Sequence, residues 1–142
     1  MAITSAICNS FKREIAVAQH NFTLTTGSVF KIALYSSTAT LDGNTTAYTA
    51  ANEVAGTGYT AGGNTLINVT PFLDGSSAII DFEDTSWIGS SISARGCMIY
   101  NTSSANKSVL VQDFGNTYTT SNGTFVLVFP LPTAAAALIR LA

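Results

Sequence analysis

Val29-Phe30-Lys31-Ile32-Ala33-Leu34-Tyr35 decides the fold. The run is rich in β-formers and almost continuously apolar, which is the pattern of a strand buried on both faces. The chain before it follows a different period. Ile7, Phe11, Ile15 and Ala18 fall at helical spacing on one face, while Lys12, Arg13 and Gln19 point elsewhere. Thr4 or Ser5 can cap such a helix. The spacing predicts an amphipathic helix over about residues 4–19, within an N-terminal segment 1–22. Its apolar stripe must cover something, either this domain's own sheet or a neighbour. Near Gly27 the period changes from about 3.6 to 2.

Downstream, strands and turns alternate. Asp42-Gly43-Asn44 is a turn, and Thr45 to Glu53 reads equally as a short helical turn or an extended loop. A glycine-rich bend, Gly56 to Gly63, precedes a strand through Leu66, Ile67 and Val69 that Pro71 is expected to end. Asp74-Gly75 reads as a hairpin turn before Ala78-Ile79-Ile80-Asp81-Phe82, which leads to Trp87. Further strands are expected at Cys97 to Tyr100, Val109 to Phe114, Thr124 to Phe129 and Leu138 to Leu141. Polar loops are expected at 101–106 and 116–122, and Pro130 and Pro132 follow the strongest strand. The regular spacing predicts a mainly β chain: one domain, 1–142, in which residues 28–142 form an antiparallel β-sandwich of jelly-roll or Greek-key type. Phe30, Ile32, Leu34, Ile80, Phe82, Ile99, Val109, Val111, Phe125, Leu127 and Phe129 are its expected core.

Composition narrows the function. Charged residues make up 10% of the 142 residues, against about 25% in an average soluble protein. Ser, Thr, Asn and Gly replace the missing charge, which suits a surface that packs against other proteins. The net charge is −2, and the six Lys and Arg residues are scattered. Phosphate neutralisation is therefore disfavoured, and no nucleic-acid partner is expected. No apolar run approaches the roughly 18 residues of a membrane span. Residues 1–22 carry Lys12, Arg13 and Glu14 mid-segment and do not read as a signal peptide, so synthesis in a cytoplasm is expected.

Motifs for chemistry are sparse. Gly56-x-Gly58 lacks a following GK[ST] and reads as a bend. Asp81, Glu83 and Asp84 form the only acidic cluster; an exposed strand end is the default reading, with cation binding as the alternative. Cys8 and Cys97 show no metal-site spacing and read as two buried thiols, with a disulfide left open. His20 reads as a helix C-terminal residue favoured by the dipole. No catalytic residue, metal or cofactor is expected.

Several segments together carry a resemblance. They are Phe30 to Tyr35, Asn52 to Gly63, Asp81-Phe82-Glu83-Asp84-Thr85-Ser86-Trp87, Ala94-Arg95-Gly96-Cys97-Met98-Ile99-Tyr100-Asn101 and Val111-Gln112-Asp113-Phe114-Gly115. In their order, over nearly the whole chain, they resemble a family of small structural proteins encoded by tailed bacteriophages. The resemblance implies a capsid decoration (cement) protein on the exterior of a virion. Its partners would be the phage major capsid protein or other virion proteins. A neck, tail or fibre-associated protein is the alternative, and a carbohydrate-binding module or small hydrolase a further one. No active site carries over from the family. A homo-oligomer, dimer or trimer, is expected, with Phe11 and Ile15 of the helix and Tyr59 of the glycine-rich segment as contact residues.

Overall fold

The computed structural model describes residues 2–142. In chain order the elements are β1 (Ala6–Ile7), α1 (Asn9–Ala16), β2 (Phe30–Tyr35), β3 (Asn64–Thr65), β4 (Asn68–Asp74) and β5 (Ser77–Phe82). Then follow β6 (Thr85–Ser90), β7 (Ser93–Asn101), β8 (Lys107–Thr119), β9 (Gly123–Leu127) and β10 (Ile139–Leu141). The fold is mainly β with antiparallel pairing and one short helix near the N-terminus.

Three sheets form where one pair of sheets was expected. The largest has the order β1-β8-β7-β2-β3, and the others are β10-β5-β4 and β6-β9. Both small sheets pack on the large one. Phe82 of β5 meets Phe30 of β2 at 5.4 Å between ring centroids, and Phe125 of β9 meets Phe114 of β8 at 6.3 Å. The arrangement is sandwich-like, with its second layer split in two. The split has a local cause. β5 runs almost directly into β6, but their partners β9 and β10 are separated by residues 128–138, which leave the sheet at Pro130 and Pro132.

The β2 strand is as legible as its sequence suggests: Phe30, Ile32, Ala33, Leu34 and Tyr35 have no exposed area. Phe30 also stacks on Phe22 at 4.5 Å, so an aromatic chain links the loop after α1 to both layers. Leu127 and Phe129, expected in the core, are only half-buried, because the chain turns outward there.

Several boundaries differ from expectation. Helix α1 starts at Asn9, not near Thr4, because Ala6 and Ile7 pair with Val111 and Leu110 of β8. Ser5 does not cap the helix; its Oγ accepts the Asp113 N–H at 2.8 Å. An eight-residue helix is marginal alone, and its packing against β8 holds it. Pro71 does not end its strand; β4 continues past it through an irregularity between Val69 and Phe72, as a proline on an edge strand can. The stretch 116–119, expected as loop, extends β8, since Tyr118 and Thr119 pair with Ala94 and Ser93.

Candidate functional site

Two groups of polar side chains inside the molecule hold loops. Glu53 is the centre of one group. Its carboxylate accepts hydrogen bonds from Tyr48 Oη at 2.5 Å, Tyr59 Oη at 2.6 Å and the Gly62 N–H at 2.7 Å. Tyr59 Oη in turn accepts the Leu34 N–H at 2.9 Å, which ties the glycine-rich bend to β2. Burial, followed by the Glu53 charge, pushes the Tyr100 phenol up to about 12 and raises Tyr35, Tyr48 and Tyr59 as well. Nothing in the sequence singled out Glu53. The available signal was one carboxylate flanked by Tyr48 and Tyr59 beside a run of glycines.

A second group lies under α1. Asn101 Oδ1 accepts the Ser103 N–H at 2.9 Å, so its amide NH₂ donates to His20 Nδ1 at 3.0 Å. That leaves His20 Nε2–H to donate to Glu14 Oε1 at 2.9 Å, while Lys107 Nζ stands 3.6 Å from Glu14 Oε2. The His20 side chain has no exposed area. The helix ends at Ala16, so His20 does not close it at the dipole's end; it is a buried pin between the post-helix loop and β7.

The residues expected to make contacts fall differently. Phe11 is 2% exposed and packs on His20 at 4.9 Å and Phe22 at 6.0 Å, so it belongs to this chain's own core and offers nothing to a neighbour. The helix stripe covers this domain itself. Ile15 and Tyr59 are half-buried against the same core, and the Tyr59 ring stacks on Trp87 at 6.1 Å.

The acidic cluster does not converge. Asp81 is buried and its Oδ1 has no partner; burial raises its carboxyl above the usual range. Glu83 is exposed, and Asp84 Oδ1 accepts the Phe129 N–H at 2.8 Å. Among the described residues, no three His, Cys, Asp or Glu side chains are grouped as a metal site would need. Cys8 and Cys97 are free, buried thiols, and burial pushes Cys97 up to about 12. The glycine-rich bend has no spare cradle for phosphate. Glu53 already takes the Gly62 N–H, and a side chain at Gly63 would run into the Ile32 carbonyl at 1.7 Å.

The surface holds what the interior lacks. Leu73, Ala78 and Leu141 are direct neighbours in the register of β4, β5 and β10. By strand alternation they share the face of the core residues Ile80, Phe82 and Ile139. Yet Leu73 is 72% and Leu141 50% exposed. The core-facing side of the three-stranded sheet thus extends beyond what the five-stranded sheet covers. A second apolar region lies between β8 and β9. A cleft of about 420 Å³ is lined by Phe114, Tyr118, Thr124 and Phe125, among others. A second, of about 280 Å³, lies between Cys97, Ile99 and Leu110 of the large sheet and Val128, Phe129 and Leu138. The clefts share Phe114 and Leu127.

No protein-family model, curated protein or solved structure matches this chain.

Proposed function

We propose that this chain is a non-enzymatic structural protein of a tailed-phage virion that binds the capsid exterior as a decoration protein. The observation that carries the reading is the overhanging row Leu73–Ala78–Leu141. Core-type apolar side chains left uncovered at a sheet end are the chemistry of an interface, where burial yields about 25 cal/mol per Å² before the cost of immobilising the partner. The two polar groups around Glu53 and His20 support it from the other side. Both are engaged in holding loops, and such cross-linking suits a rigid plug more than a site that must admit substrate. Whatever binds only the assembled shell stabilises it, and symmetric repetition multiplies a modest contact.

The test uses shells stripped of the protein and incubated with purified chain. The wild type should co-sediment with shells and raise the temperature at which they release DNA. Leu73→Asp should fold normally and lose at least about tenfold in shell affinity, the effect of roughly 1.4 kcal/mol at one contact. Equal binding by Leu73→Asp would count against the row. A neck or tail protein would leave shell stability unchanged.

A further inference from the structure

We propose that the face formed by the outer half of β8, by β6 and β9 and by the 128–138 crossover is where a second copy of this chain docks. From Phe114 to Ile139 the sequence contains no Asp, Glu, Lys, Arg or His. That uncharged stretch supplies most of the lining of both clefts. It also carries Tyr118, Val126, Val128 and Leu131, each more than half exposed. Ile88 of β6, at the irregularity between Trp87 and Ser90 in the pairing with β9, joins them at 78% exposed.

Charge selects the occupant. An ordinary protein surface would bring charges onto this face, and each would lose water with no partner to receive it. This chain, with 10% charged residues against about 25% in an average protein, is the surface that matches it. Two copies face to face about a two-fold axis bring no charge of this stretch against each other; the charges that touch it, Asp84 at Phe129 and Asp74 and Arg140 at Ala134, are already bound to its own backbone, and such a self-complementary patch closes as a dimer.

The size fits. The five exposed side chains offer on the order of 600 Å². With the half-buried cleft walls Phe114, Leu127 and Phe129, the face approaches the roughly 800 Å² that each partner contributes to a standard interface. The strands also have hydrogen-bonding edges to spare. Among the described residues β9 pairs only with β6, and beyond Asp113, whose N–H goes to Ser5 Oγ, β8 pairs only with β7. The crossover is held in shape by Asp74 Oδ2, which accepts the Ala134 N–H at 2.6 Å, and by Arg140, which donates to the Ala134 carbonyl at 2.7 Å. The inference is independent of the shell-binding reading.

Sedimentation equilibrium of the full chain tests it, at concentrations up to about 100 μM. The wild type should sediment at twice the chain mass of 14.8 kDa. Val128→Asp and Leu131→Asp should each weaken self-association at least about tenfold while keeping the circular dichroism of the wild type. Leu73→Asp, on the other apolar row, should still dimerise. A wild type that stays monomeric, a trimer, or a dimer broken by Leu73→Asp and not by Val128→Asp would overturn the proposal. If Leu73→Asp loses shell binding but keeps the dimer, the two surfaces are separate.

Discussion

Removing the Glu53 carboxylate strands three donors at once. Tyr48 Oη, Tyr59 Oη and the Gly62 N–H all lose their acceptor, and only Tyr59 Oη keeps another bond, the one it accepts from Leu34. Hydrogen bonds to a charged group contribute about 1.5–3 kcal/mol each when buried. Glu53 is half-buried, so water can reach the freed donors, and about 1 kcal/mol per bond is the sounder figure. Glu53→Ala should therefore lose about 3 kcal/mol, near 10 °C in Tm for a chain of this size. Glu53→Gln should lose about 1 kcal/mol, since an amide oxygen can serve Tyr59 and Gly62 while Tyr48 turns to accept from the NH₂. Urea unfolding at neutral pH reads both values through Trp87, the single tryptophan, whose ring lies 6.1 Å from Tyr59. A loss below about 1 kcal/mol for Glu53→Ala, or equal losses for both variants, would refute the view that this carboxylate organises the glycine-rich bend.

Alkaline pH should destabilise the fold. The phenols of Tyr35 and Tyr100 are raised in the folded state above their ordinary 10.0, so the stability they contribute is full below pH 10 and falls as pH rises through the folded values, about 12 for Tyr100. Stability should therefore fall steadily between pH 10 and 12, measurable by urea unfolding across that range. Asp81 has the same sign at the acid end: its raised carboxyl favours the fold at low pH, and that stability is lost as pH rises through its folded value. Asp81→Asn should therefore raise stability at neutral pH, and a lower midpoint would show that the buried charge is not the net cost at this position. Phe125→Ala should cost about 3–5 kcal/mol because the ring is buried against Trp87 and Phe114, whereas half-buried Phe129→Ala should cost about 1–2. Equal costs would mean that the crossover closes over Phe129 in solution.

The sequence was most legible where burial is two-sided. Phe30 to Tyr35 reads as a central strand because no other element makes such a run stable, and it lies between β7 and β3. Reading failed where a distant partner decides. Ile7 begins the helical stripe, but Val111 and Leu110, more than a hundred residues away, draw Ala6 and Ile7 into a sheet. Tyr118 and Thr119 look like loop because they are polar and exposed, yet a strand needs only backbone partners, which Ala94 and Ser93 supply. Phe11 shows the same limit at the level of sites: its stripe predicts burial without saying against what, and the answer is His20 and Phe22 of its own chain. Glu53 was missed because its donors come from three separate loop positions that no spacing rule connects.

The proposed role, binding a symmetric shell from outside, is tested most directly by reconstructing the particles made in cells that express this chain. Density for the sandwich should recur in many symmetric copies on the outer capsid surface, with the Leu73–Leu141 edge toward the shell and the uncharged face toward a like chain. A few copies confined to the neck or tail, or a particle without the chain, would contradict it.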